Sequence, residues 1–283
     1  MAHMGGLVGF MNSPPHRAGR RSASFPLRLD QVKPAPSLPP QRERASTGDA
    51  SRSQAATGLG LDSADVRRQM VQRLSVAGLS SVPVLDALAR VPRHQFVDAA
   101  LVTQAYEDTS LPIGHGQTIS KPSVVARMIE LLMGGANASA KLGASGPLGK
   151  VLEIGTGCGY QAAVLSLLAN SVISIERLKP LHDKARELLA PMRSTRLRLV
   201  YGDGMLGHPP NAPYDSIIAA AGGDALPAAW LDQLAVGGRL VSPVRQAGTG
   251  RQVLVVVDRN AQGHVHRIHE AVNFVPLKSG LIG

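Results

Sequence analysis

The chain has 283 residues, 44% of them hydrophobic but only 3% aromatic, with a net charge of +10 and a pI near 10.3. That length leaves room for one large domain or two small ones with ample core, and no apolar run approaches the roughly 18 residues of a membrane span. About half of the excess positive charge falls in the first sixty residues and stacking aromatics are scarce, which argues against a dedicated nucleic-acid surface.

Residues 1–60 carry no sustained helical or strand period and are rich in Pro, Ser, Arg and Gly, so a disordered extension is expected there. The Arg-rich, acid-poor stretch around Arg17 to Arg28 also has the composition of a transit peptide, but no amphipathic helix accompanies it. A folded domain is expected over 61–283. Helical spacing begins near Ser63, an N-cap by residue type, with Val66, Met70 and Leu74 on one face and Gly78 as a stop. A second short helix over 83–91 presents Val84, Leu85, Leu88 and Val91, and together the two predict a helical layer ahead of a sheet.

Glycines 114 and 116 predict a pliant loop through 111–120, and Pro122 starts a helix marked by Val124, Val125, Met128, Ile129 and Leu132. On pattern alone Ser120 is an N-cap hydroxyl and His115 a loop residue. A Gly/Ala/Ser-rich connection over 134–149 precedes the first strand.

From there strand and helix alternate: strand 151–154, helix 160–169, strand 172–176, helix 179–191, strands 197–201 and 214–220, helix 225–235 and strand 239–244. This is the rhythm of a doubly wound, Rossmann-like α/β sheet covered on both faces. An antiparallel C-terminal hairpin follows, with strands 252–257 and 266–275 about the turn 260–263. His264, His266 and His269 lack the Cys or carboxylate partners of a metal shell and read as solvated strand positions, so no metal is expected.

The first strand ends in Glu153, Ile154, Gly155, Thr156, Gly157, Cys158 and Gly159, a sharp strand-to-helix turn in which bare backbone lets a ligand approach. A dinucleotide turn wants G-x-G-x-x-G, and its third glycine position is Tyr160 here. Glu153 at the mouth of the turn suits a cationic ligand better than a diphosphate. Glu176 ends the second strand, placed for a ribose diol, and Asp203 and Gly204 follow the third. Three adjacent strand ends thus resemble an S-adenosylmethionine site. Cys158, the single cysteine, reads as a small filler between two glycines; it rules out an internal disulfide and fits a reducing, cytoplasmic setting.

With these pieces in order, residues 63–281 resemble the protein-L-isoaspartate O-methyltransferase family. The resemblance is carried by 91–97 (VPRHQFV), 111–120 (LPIGHGQTIS), 151–160, 202–204, 237–241 and 274–277 (FVPL). The segment Gly116, Gln117, Thr118, Ile119, Ser120 is the most specific, and it turns the reading of Ser120 from cap to catalytic residue. The resemblance implies that Ile113, Gly114, His115, Gly116 and Gln117 help to cover the cofactor. It likewise implies that Glu153, Gly155, Thr156, Gly157, Gly159, Glu176, Asp203 and Gly204 bind it, and that Thr118, Val275, Pro276 and Leu277 lie beside the substrate peptide. Departures are Cys158 where serine is usual, Ser123 where an aromatic is common, and Ala219 to Gly223 in place of an Ala-Pro segment, which bears on the lip of the substrate groove.

The implied reaction is methyl transfer from S-adenosylmethionine to the α-carboxylate of an isoaspartyl residue, leading through succinimide back to aspartate. Its implied partners are damaged proteins and peptides, with no nucleic acid or membrane, and the chain is expected to act as a monomer. Two rivals stand beside this reading: a methyltransferase of the same fold acting on a small molecule or RNA, and a non-catalytic nucleotide-binding module tethered by its basic arm.

Overall fold

The computed structural model describes residues 64–141 and 146–283; the expectations about residues 1–60 and the Ser63 cap lie outside them. Helix α1 (Ala64–Val76) and helix α2 (Val82–Arg90) bury Met70, Leu74, Val84 and Leu88, the faces set by their 3–4 residue spacing. Short 3₁₀ turns at Arg93–Phe96 and Ala99–Gln104 lead into strand β1 (Leu111–Gly114) and strand β2 (Gln117–Ile119). These two strands correct the expected loop: they pair as an antiparallel hairpin, Gly114 opposite Gln117. His115 and Gly116 form its tip at φ 53° and 66°, the two positive values that a tight hairpin turn of this hand requires. Helix α3 (Pro122–Met133) follows with proline in its first turn, and Asp108 caps it from outside by accepting the amide and hydroxyl of Ser123.

After the short helix α4 (Ala136–Ser139) come β3 (Lys150–Ile154), α5 (Tyr160–Leu168), β4 (Ser171–Glu176), α6 (Lys179–Leu189), β5 (Leu197–Tyr201) and β6 (Tyr214–Ala219). Then follow α7 (Ala228–Asp232), β7 (Leu234–Arg245), β8 (Gln252–Asn260) and β9 (Gly263–Val272). Seven strands lie in the order β5-β4-β3-β6-β7-β8-β9, parallel as far as β7, with β8 antiparallel to both its neighbours. The expected helix over 225–235 is only the one-turn α7, because β7 already starts at Leu234. Gly237, at φ 79°, lets the strand bulge against β6, so the glycine pair that looks like a break lies inside the strand.

The sheet is covered unevenly. Val151, Val172, Ile218 and Val241 face the helical layer of α1, α2, α3, α5 and α6, whereas Leu152, Ile154, Ile173 and Ile175 face a thinner layer holding Trp230 of α7. The strand order reverses at β3, which has β4 on one side and β6 on the other. At such a switch point the connections leave in opposite directions and open a crevice beyond the strands' carboxyl ends.

Candidate active site

That crevice is a cavity of about 350 Å³. Its floor is the turn after β3, where Gly155, Gly157 and Gly159 have φ of 89°, 55° and 92°. The amides of Gly155 and Thr156 both donate to Ile175 O of β4, at 2.8 and 3.1 Å, which pins the turn to the neighbouring strand end. Gly157 lines the cavity, and a Cβ there would stand 3.2 Å from Ile113 Cδ1, in the space between the turn and the β1–β2 hairpin. Gly159 serves packing instead. A Cβ there would meet Leu189 Cδ1 at 2.7 Å, so its absence lets α6 close on the turn, and the residue does not line the cavity.

Glu176 is the carboxylate of the crevice. It is buried; Oε2 accepts the Gly157 amide at 2.9 Å and Oε1 the Leu178 amide at 3.0 Å. A carboxylate has about four acceptor positions, so both oxygens retain capacity for a diol.

Glu153 corrects the reading of an acid at the mouth of the turn. Residues 151 and 153 point to the helical side of the sheet, and Glu153 is 0% exposed beside Ser174, its register partner on β4. Ser174 Oγ donates to Glu153 Oε2 at 2.5 Å and shares a 2.6 Å hydrogen bond with Thr156 Oγ1. Burial pushes the Glu153 carboxyl up to about 8, against the pull of Ser174, so near neutrality it is mostly protonated and gives the cavity no negative charge.

Asp203 also stands outside the lining: Oδ1 caps the following turn through the Met205 amide at 2.9 Å, and Oδ2 accepts the Gly280 amide at 2.6 Å. Gly204 does line it, with its carbonyl held by Trp230 Nε1 at 2.8 Å; a Cβ on Gly204 would collide with Ile154 Cγ2 at 2.5 Å.

The C-terminal residues strap this side of the crevice. Ile282 exchanges backbone hydrogen bonds with Arg177 and Lys179 at 3.0 and 2.9 Å, while the Arg177 guanidinium donates to Gly280 O at 2.8 Å and Ser279 O at 3.1 Å. Arg177, Lys278 and Ile282 all line the cavity, and sequence reasoning missed each of them.

The opposite wall is the β1–β2 hairpin and the residues after it. Ile113, His115, Gly116, Gln117, Thr118 and Ser120 line the cavity; Gly114 does not. Val275, Pro276 and Leu277 form the remaining side, where Gly222 N donates to Val275 O and Leu277 N to Gly222 O, each at 2.9 Å. The unusual segment after β6 is therefore the lip itself, with Ala220 and Ala221 among the lining residues. Cys158 is 3% exposed, and burial pushes its thiol up to about 11, a poor setting for a nucleophilic thiolate.

The arrangement fits the S-adenosylmethionine expected from the sequence: a nucleoside-sized cavity, glycine backbone where a Cβ would fill the cradle, and a carboxylate one strand away with acceptor positions to spare. It brings together Ser120, Thr118 and most of the predicted cofactor residues, and leaves Gly114, Glu153, Gly159 and Asp203 behind the first layer.

A family model described as protein-L-isoaspartate(D-aspartate) O-methyltransferase matches residues 65–281. A protein-L-isoaspartate O-methyltransferase of Methylibium petroleiphilum is 60% identical over 273 residues, 93% of this chain and 98% of the relative. One from Leptothrix cholodnii is 57% identical over 288 residues, 95% of this chain and 96% of the relative. A solved protein-L-isoaspartate O-methyltransferase superposes with a TM-score of 0.66 at 26% identity, over 76% of this chain and 67% of that one. A Plasmodium falciparum structure in complex with S-adenosyl-L-homocysteine shares the fold, with a TM-score of 0.62 at 22% identity over 75% of this chain and 98% of that one.

Proposed function

Because the chain belongs to the protein-L-isoaspartate(D-aspartate) O-methyltransferase family, we propose that its crevice places the α-carboxylate of an isoaspartyl residue between Ser120 and the glycine turn. The activity of this membership is methylation of L-isoaspartyl residues in damaged proteins, which starts their return through succinimide to aspartate. S-adenosylmethionine supplies the methyl group as an electrophilic carbon on a sulfonium.

The observation that carries the reading is that Ser120, the bare turn at Gly155 and Gly157, and Glu176 line one cavity. The acceptor carboxylate, with an ordinary pKa near 4, is ionised at neutrality and needs no strong base. A hydroxyl suffices to hold it, and the site offers Ser120 there without a histidine–aspartate relay. Ser120 donates a hydrogen bond to the carboxylate and fixes the attacking oxygen; Thr118, Val275, Pro276 and Leu277 hold the peptide. Gly155, Thr156 and Gly157 support the methionine portion of the cofactor and Glu176 its ribose, with Gly204 flanking the base. The His115 hairpin tip shields the reacting atoms from water. Alignment of this kind is worth roughly 7 kcal/mol or more in favourable intramolecular models.

On the same reading residues 61–283 are the methyltransferase domain, behind an extension of about sixty residues, and the chain works as a cytoplasmic monomer on proteins and peptides. No helix among the described residues is long and apolar enough to cross a membrane. The test is transfer of labelled methyl to an isoaspartyl peptide and to its normal aspartyl twin. Uptake by the first alone is expected; equal uptake, or none by either, would overturn the reading in favour of another acceptor.

A further inference from the structure

Arg93 is a buried cation that the reaction as described does not use. Its side chain is 0% exposed, in the 3₁₀ turn after α2. Nε donates to Ala105 O at 2.8 Å, and Nη2 donates to Ser120 O at 2.7 Å and, more weakly, to Thr109 O at 3.5 Å. The guanidinium carbon lies 4.8 Å from the centre of the Tyr160 ring, and Tyr160, the first residue of α5 after the glycine turn, lines the cavity. One side chain thus touches the peptide group of Ser120, two other points of the segment leading to it, and the ring that continues the cofactor turn.

Among the described residues no carboxylate forms an ion pair with Arg93, and its hydrogen bonds go to carbonyl oxygens. Burial lowers its pKa, the sign of a charge held where water would suit it better. A buried charge without an ionic partner is costly, so its presence needs a geometric reason. A guanidinium supplies one: a rigid fork of donors can hold several carbonyls at once while its charge lies over an aromatic ring.

We propose that Arg93 is a positioning residue for methyl transfer, fixing the distance between Ser120 and the glycine turn by bonding to the Ser120 carbonyl and by its cation–π contact with the Tyr160 ring. The assignment rests on the reading of Ser120 given above. On that reading Ser120 holds the acceptor on one wall and the turn holds the donor on the floor; Arg93 touches the Ser120 carbonyl and the ring of Tyr160, the residue that follows the turn. A displacement of about 1 Å between reacting groups costs on the order of a hundredfold in rate.

The test uses Arg93→Lys and Arg93→Gln in the full chain. The number of S-adenosylhomocysteine-binding sites and their affinity are measured by calorimetry, and kcat and KM for an isoaspartyl peptide are expressed per binding site, so partial unfolding does not distort the comparison. Expected are a kcat lower by roughly ten- to hundredfold and by no more than in Ser120→Ala, little change in S-adenosylhomocysteine affinity, and almost no further loss when Arg93→Lys is added to Ser120→Ala. The last readout separates the two roles, because a general structural defect multiplies with the serine loss whereas a residue acting through Ser120 does not. The proposal is overturned by a kcat close to that of the unaltered enzyme, by multiplicative losses in the double variant, or by variants that no longer bind S-adenosylhomocysteine, which would assign Arg93 to the fold as a whole. Turnover of the peptide by the unaltered enzyme is the control: its absence refutes the proposed function, and its presence with any of those three outcomes refutes only the role of Arg93.

Discussion

The carboxylate of Glu176 accepts the backbone amide of Gly157 at 2.9 Å, joining the end of β4 to the turn that follows β3. On the proposed reading the two halves of the cofactor site are therefore one unit, since the group assigned to the ribose also orients the backbone assigned to the methionine portion. Glu176→Gln replaces an acceptor by an amide that cannot serve both the Gly157 and Leu178 amides and a diol. Hydrogen bonds to charged groups contribute about 1.5–3 kcal/mol, so S-adenosylhomocysteine affinity, read by calorimetry, is expected to fall roughly ten- to hundredfold.

Ser120→Ala removes the hydroxyl and leaves the carbonyl that Arg93 binds. With the proposed hydrogen bond to the acceptor carboxylate gone, turnover is expected to fall roughly ten- to hundredfold, with cofactor affinity nearly intact. Equal loss of both in a folded variant would remove the role given to this residue. Steady-state kinetics beside a cofactor titration decide it.

Glu153 makes stability depend on pH in a definite direction. Its carboxyl is raised to about 8 in the folded protein, whereas in the unfolded chain it titrates in the usual carboxylate range. Between those values the native state binds the extra proton. The contribution is fully present below the unfolded pKa, declines as pH rises towards 8, and is gone above it, with a slope of at most roughly 1.4 kcal/mol per pH unit. Glu153→Gln, which cannot ionise, should show a flatter profile in urea unfolding between pH 5 and pH 8.5. Parallel profiles for the two proteins would contradict the buried protonated state.

Removing residues 279–283 deletes the strap that Arg177 and Asp203 hold. The cavity then loses Ile282 from its wall, and exchange of bound cofactor should become faster. An affinity lower by about tenfold, equivalent to about 1.4 kcal/mol, with kcat at saturating cofactor much less altered, is the expected pattern in stopped-flow and calorimetric measurements. Unchanged release kinetics would show that the strap merely lies beside the site.

The strand ends are legible in the sequence because each is an apolar run broken by glycine or acid, a local pattern that β-structure dictates. Ser120 needs the family resemblance, since a serine ahead of a helix is chemically the same whether it caps or catalyses. The place of Glu153 is hidden because the face it occupies is set by pairing with Ser174, twenty-one positions away, and alternation within one strand does not say which face meets the ligand. Arg93 and the C-terminal strap are silent for the same reason: their contacts join distant segments. The β1–β2 hairpin leaves no mark because strands of four and three residues are too short to display a period.

Cys158 has one more use, which follows from its being the only cysteine of the chain and lying inside the glycine turn. A thiol at 3% exposure on the cavity lining is expected to react with a maleimide chiefly when the turn opens. Its labelling rate is thus a built-in gauge of breathing at the site, free of background from any other sulfhydryl, and occupancy by the nucleoside should slow it in proportion to the time the turn spends clamped.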